Sequence, residues 1–528
     1  MLALAFLVLA VSVGSWFYSW RKNRFSIFKN SNIPGPEPNL LFGNSLEIMQ
    51  KGDVVAFSDW TKEYGDVVGF FSGACPCILV KDVDLIRSIQ MKDAGNISER
   101  TMESVFSILH IITKMHLQSG SGDNVKRIRR LIPTMFKSTN LKKIFNWMVM
   151  SADALVKDLN PGRHPAGSVE VCKHFGKFAA QVSSGFVLEN ARNGKGHPAK
   201  PTAEQLYTCS LEVVNTLSTR WFTGLTEGLP EFSVVWKMLH SLVLCLGLHP
   251  LARLRKIYRR LMTENDFPAD PEKSDLVTLM LHAAAEAKAQ PGSQPANDAP
   301  NQEKFRYDTE MESNALIILI AGSVPICKAL SSCAFFLAKY QDIQKKARAE
   351  VEATLARDGK LTFDNISAMR YLKQVLLESL RYTSSAFGFN TRITGQEHSY
   401  KGLTIPKGVT VVVPSFDLHN DPDLFSKPEL FDPERFDGKG KSAEDTAALQ
   451  VFNNGLGTCV GMKLAQVEIV LALARLLAEY RLVLDETRHT GGRQESHMIA
   501  RNFKNPEIWI KFENIVKPSA TSNGTVFD

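Results

Sequence analysis

The chain has 528 residues, 44% of them hydrophobic and 22% charged, with a formal charge of +7. These values are ordinary for a globular protein with a large core, and so modest a charge gives no reason to invoke nucleic acid. The eight cysteines (75, 77, 172, 209, 245, 327, 333 and 459) have neither disulfide-framework nor zinc-finger spacing, which points to a reducing compartment.

Residues 1–20 carry no charged side chain, and a helix of that length rises about 30 Å, enough to cross a bilayer core. Arg21, Lys22 and Arg24 follow at once, and Trp16, Tyr18 and Trp20 suit an interfacial belt. No basic region precedes the apolar run and no good cleavage site follows it. The expectation is an uncleaved single-pass transmembrane anchor, with a buried N-terminal helix as the alternative. Residues 21–45 then read as a basic, proline-rich hinge, since Ile33-Pro34-Gly35-Pro36-Glu37-Pro38-Asn39 cannot be helical. Residues 46–518 form the body and 519–528 a frayed tail.

Val67–Phe71 and Cys77–Val80 look like strands of a small sheet, with Cys75-Pro76-Cys77 too close for an ordinary bridge. Between this sheet and a second strand-rich stretch, Tyr400–Val413, the pattern is helical. The fold class expected is mainly α with small β-sheets (α+β). Phe232–Leu251 is strongly apolar, fitting either core helices or a membrane-dipping segment. Residues 290–301 read as a surface loop, and Thr309–Tyr340 as one long helix containing Ala321-Gly322-Ser323-Val324-Pro325.

Glu378-Ser379-Leu380-Arg381 sets an acid and a base at i and i+3 of a helix. A solvated ion pair is one reading, but the apolar segment Tyr371–Leu380 would make unpaired charge costly. Phe431-Asp432-Pro433-Glu434-Arg435-Phe436 follows. Next comes Phe452-Asn453-Asn454-Gly455-Leu456-Gly457-Thr458-Cys459-Val460-Gly461, opening a helical run from Met462 to Glu479. A lone cysteine is by itself as readily an inert buried residue. In a Phe- and Gly-bounded turn before a helix, however, it meets the needs of a haem-thiolate site. Glycines let backbone approach a porphyrin, and turn amides stabilise a sulfur anion.

In order and spacing these three motifs resemble those of the cytochromes P450, over a span from about Ile33 to the C-terminal region. The resemblance implies haem b held by the Cys459 thiolate, with Phe452, Gly455 and Gly461 shaping the ligand loop. It implies a scaffold of Glu378, Arg381 and Arg435, propionate contacts from Arg129 and Arg392, and an oxygen groove at Ala321 and Gly322. The implied activity is monooxygenation of a lipophilic small molecule (xenobiotic, steroid or fatty-acid type). Electrons would come from NADPH through a reductase, with cytochrome b5 as a further donor. The implied location is the endoplasmic reticulum membrane with the body in the cytosol, so that the sequons at Asn96, Asn365 and Asn523 go unused. Lys126, Arg127, Arg129, Arg130, Lys137, Lys142 and Lys143 would form the docking face for an acidic donor. Substrate contacts are expected at 102–115, near Ala321, at 386–389 and at 498–500.

The chain departs from the family pattern in three places. Val324 and Pro325 stand where an acid and an alcohol usually carry protons to the oxygen being reduced. Val125 replaces a tryptophan and Gly457 a basic residue, both propionate partners. Each lost charge-assisted bond weakens haem retention by roughly 1.5–3 kcal/mol. These departures keep two alternatives open: a haem-thiolate isomerase or dehydratase that acts on a peroxide without a reductase, and a catalytically degraded haem- or lipid-binding paralogue.

Overall fold

The computed structural model describes residues 2–92, 133–164, 167–187, 200–217, 229, 232–263, 300–383, 389–438, 447–455, 458–489 and 507–515. Helices dominate. Those that position the site are α1 (Leu2–Phe25), α2 (Ser138–Asp158), α3 (Val171–Val187), α4 (Lys200–Leu217), α5 (Ser233–Cys245), α6 (Pro250–Thr263), α7 (Pro300–Ala321), α8 (Val324–Lys339), α9 (Gln341–Asp358), α10 (Tyr371–Thr383) and α11 (Met462–Glu479).

Strands β1 (Val67–Ser72), β2 (Cys75–Val80), β4 (Phe389–Ile393) and β7 (Thr410–Pro414) form one sheet in the order β1-β2-β7-β4. Its alternation of side chains is the period of two that a pleated strand imposes. Ile78, Val80, Val411 and Val413 pack on one face with Leu85 and Ile86. Val68, Phe70, Leu79 and Val412 pack on the other with Phe57 and Trp60. Strands β3 (Val169–Glu170), β9 (Trp509–Asn514) and β8 (Tyr480–Leu484) make a second sheet, and β5 (His398–Tyr400) pairs with β6 (Leu403–Ile405). Turns at Lys401-Gly402 and Lys407-Gly408 separate the strands, with Lys401, Gly402 and Gly408 at positive φ. Cys75 and Cys77 lie in β2 and form no disulfide with each other.

The main core lies among α2, α3, α8, α10 and α11, around Phe335, Phe336 and Leu473. The expectation of one continuous helix from Thr309 to Tyr340 is corrected here. The first helix begins at Pro300, a residue assigned by composition to the preceding loop, where a first-turn proline needs no N–H. The run then breaks at Gly322-Ser323. Gly322 N still donates to Ile318 O (2.8 Å), but Ser323 N turns back to Ile320 O (3.3 Å). Pro325 has no N–H to return to the Ala321 carbonyl, so the chain restarts as α8 with Pro325 in its first turn.

The proline-rich segment is non-helical, as expected, and lies along β1. Gly69 N donates to Pro34 O (2.7 Å), and the Asn44 side chain accepts from Phe71 N (2.8 Å).

Candidate functional site

Cys459 lies just ahead of α11, in a turn closed by its own backbone. Its N–H donates to Phe452 O (2.8 Å), while both N and Oγ1 of Thr458 donate to Gly455 O (3.1 and 2.8 Å). Gly455 has φ +64°, and a Cβ there would overlap the Gln90 carbonyl oxygen, so this position requires glycine on both counts. A Cβ at Gly461 would make only ordinary contacts with Phe136 and Cys459 Sγ within the protein. The Cys459 residue is exposed. Arg392 on β4 is buried and reaches the same loop, Nη2 donating to Asn453 Oδ1 (3.0 Å) and Asn454 O (3.4 Å).

The scaffold behind this loop is a buried ion cluster. Glu378 and Arg381 on α10 are both 0% exposed and pair bidentately, Nε to Oε2 at 2.7 Å and Nη2 to Oε1 at 2.8 Å. Arg435 Nε lies 3.0 Å from Glu378 Oε2, a charge contact without hydrogen-bond geometry. Its other nitrogens donate to the carbonyls of Ser426 and Leu430. Asp432 N donates to Glu378 Oε1 (2.9 Å), binding the Phe431–Phe436 segment to α10. Charge and carbonyls together satisfy groups that burial would otherwise leave costly.

His419 joins this cluster to the cysteine loop, and sequence reading missed it. Its carbonyl accepts from Arg381 Nη1 (2.6 Å), and its Nε2 accepts from Gln450 N (3.0 Å) at the start of the loop. Burial and the neighbouring Arg381 charge push its imidazole down to about 3. The ring is therefore neutral, as an acceptor at Nε2 requires. A single histidine between β7 and the Phe431–Phe436 segment was the only signal available for it. Glu468 on α11 was also missed. It is fully buried, its Oε1 makes no hydrogen bond, and burial pushes its carboxyl well above the ordinary range.

These features fit a haem-thiolate loop, and comparison with known proteins agrees. Residues 33–509 match the family model for cytochrome P450. The chain belongs to the cytochrome P450 family. Cytochrome P450 3A16 of Mus musculus is 26% identical over 483 residues, 91% of either chain. Cytochrome P450 3A2 of Rattus norvegicus is 27% identical over 464 residues, 88% of either chain. Cytochrome P450 3A29 of Sus scrofa is 29% identical over 460 residues, 86% of either chain. The P450 is accordingly a haem-dependent monooxygenase with a cysteine thiolate as iron ligand.

On the pocket side of this P450, Ala321 ends α7 and is exposed, whereas Ser323 and Val324 are buried. Ser323 Oγ donates to Leu319 O (2.6 Å), so its hydroxyl is taken up by its own helix. Gly322 packs where a Cβ would meet Ser183 Oγ of α3. Arg129, Val125 and the 126–130 part of the basic cluster lie outside the described residues, as do Leu456, Gly457, 102–115, 386–388 and 498–500. Of the sequons, Asn365 is buried inside a helix that Thr362 caps, its side chain accepting from Thr362 N (2.7 Å).

Proposed function

We propose that this P450 inserts one oxygen atom from O2 into a lipophilic small molecule, with electrons from NADPH through a cytochrome reductase and cytochrome b5 as a further donor. Cys459 Sγ would ligate the iron and Arg392 would pair with a propionate, the role the family resemblance also gives to Arg129, while Glu378, Arg381 and Arg435 hold the loop in place. Ala321 and Gly322 leave room for oxygen. Bound haem supplies the oxygen activation. The observation that carries this reading is Cys459 in a turn closed onto Phe452 and Gly455, with buried Arg392 bonded to the same loop.

The protein is anchored in the endoplasmic reticulum membrane through residues 1–20, with 21–45 as the connection and 46–518 as the cytosolic catalytic unit. On α1 the described apolar side chains, among them Leu4, Phe6, Val11 and Trp16, stand exposed, which suits lipid. Among the described residues Met311–Lys339 is long and apolar enough to cross a membrane, but 67% of its most apolar stretch is buried inside the protein. Among the described basic residues, Lys142 and Lys143 lie on α2, whose Ser138 hydroxyl bonds Lys463 at the start of α11. This side suits an acidic electron donor.

The test is the carbon monoxide difference spectrum of the reduced protein. A strongly red-shifted Soret band that disappears in Cys459→Ser is expected. An unshifted band, or no haem, would overturn the assignment and leave a degraded binding protein. Val324 and Pro325 favour one second reading, an isomerase or dehydratase needing no proton relay. Turnover that proceeds without NADPH and reductase would establish it.

A further inference from the structure

From Leu319 to Ala338 the central helices are buried except at Ala321, Gly322, Pro325 and Lys328. On α8, Pro325 and Lys328 are three residues apart and share a face, and Ala321 lies one turn before them across the break. This is the accessible stripe of an otherwise enclosed element, and it continues from the residue placed beside the oxygen groove. Helical side chains lean toward the N-terminus. Lys328 thus lies within one helical turn of Val324 and Pro325, two positions at which this chain has neither an ionisable nor a hydroxyl side chain.

We propose that Lys328 Nζ is the proton-carrying group of this pocket, taking the place of the side chains that Val324 and Pro325 cannot supply. The inference rests on the haem-thiolate reading above. The reaction takes up protons together with the electrons from the donor. Lys328 would hold a proton at Nζ beside the oxygen groove, release it as the reaction takes up protons, and regain one from solvent. Burial pushes its ammonium down to about 8, so the group loses and regains a proton near neutral pH. The titratable groups acting on it are the thiol of Cys327 beside it and that of Cys172 on α3. The Cys327 thiol contacts Tyr207 Oη of α4 (3.2 Å). Of the other helices packed on α8, α10 carries the paired Glu378 and Arg381, and α11 carries the buried Glu468.

The experiment uses the full-length, haem-loaded protein, its Lys328→Met and Lys328→Arg variants, and Lys328→Met combined with Val324→Glu and Pro325→Thr. The first readout is independent of turnover. A pulse of acetic anhydride at a series of pH values, read by peptide mass spectrometry, should label Lys328 with a midpoint near 8 and more slowly when haem is bound. In turnover, wild type should lose product per NADPH as pH rises through about 8, because the amine is then neutral. Lys328→Met and Lys328→Arg should form at least ten-fold less product per NADPH, with peroxide rising in proportion. The triple variant should recover. Labelling indifferent to haem, or coupling unchanged in Lys328→Met, overturns the role of Lys328 while the red-shifted carbon monoxide band still upholds the haem site. Absence of that band overturns both.

Discussion

Glu378 has two arginines and a backbone amide converging on one buried carboxylate. Glu378→Gln leaves both guanidinium groups without a counter-charge and should cost about 3–5 kcal/mol. Urea unfolding followed by tryptophan fluorescence measures this, and a loss under about 1 kcal/mol would show that the surrounding carbonyls suffice. His419 has a pH signature of its own. Its folded value is depressed from 6.5 to about 3, so its contribution is complete above 6.5 and is lost as pH falls toward 3. The slope should approach about 1.4 kcal/mol per pH unit in that window. His419→Gln should flatten it, and a slope that persists in the variant assigns the effect to other groups. Neither partner of His419 is near it in sequence, which is why the residue was not legible beforehand.

At the scale of elements, the two halves of the central helix are held by different means. The apolar α8 is enclosed by core, whereas α7 is tied to α6 through Glu312. That carboxylate accepts from Arg255 (Nε 3.1, Nη2 3.0 Å) and Arg259 (Nε 3.0, Nη2 3.1 Å). The arginines hold its carboxyl below the ordinary range even though burial opposes the shift. This tie is therefore complete above about 4.5 and weakens in acid. Glu312→Ala should cost about 1–3 kcal/mol, toward the low end because Arg259 remains largely exposed. Hydrogen exchange should rise first in Pro250–Thr263. Uniform protection across that helix would mean that packing alone holds it. The continuous helix expected from hydropathy failed for a local reason. An apolar run records burial, while the break follows from Gly322 and a proline whose partner carbonyl lies four residues back.

At the scale of the whole molecule, apolar side chains stand exposed, among the described residues, along α1 and in the α5 region with Val234 (66%), Met238 (69%) and Leu248 (70%). Core helices would hide these residues, so the membrane-dipping alternative for Phe232–Leu251 is the better supported. The adjoining α6 adds Lys256 and Arg260, suited to anionic headgroups, while its Arg253 pairs with Glu212 and its Arg255 and Arg259 with Glu312. A chain lacking residues 1–20 should therefore still sediment with anionic lipid vesicles. Combined Val234→Ser, Met238→Ser and Leu242→Ser should reduce bound protein about ten-fold or more, given about 1.5–3 kcal/mol per buried apolar side chain. Equal sedimentation of both proteins would assign the surface to a protein partner instead. The end of α1 is fixed to the body: Arg21, 0% exposed, donates to the carbonyls of Leu40 and Leu41, and Arg24 to Ala74 O. As a flanking charge in the sequence, Arg21 gave no hint of that burial.

The sequence by itself determined the family, the paired charges at Glu378 and Arg381, the extent of α11 and the small strands. Each of these is written in neighbouring residues: helical spacing, two-residue alternation, and glycines bracketing one cysteine. Only the tertiary structure decided that the carbonyls of Ser426 and Leu430 hold Arg435 against Glu378, that His419 links this cluster to the cysteine loop, and that Gly455 must make room for Gln90. It also decided that Lys328 lies on the accessible stripe of a buried helix. These depend on backbone groups and on burial brought together by distant segments, and no spacing along the chain encodes which carbonyl will face which side chain once the core has closed.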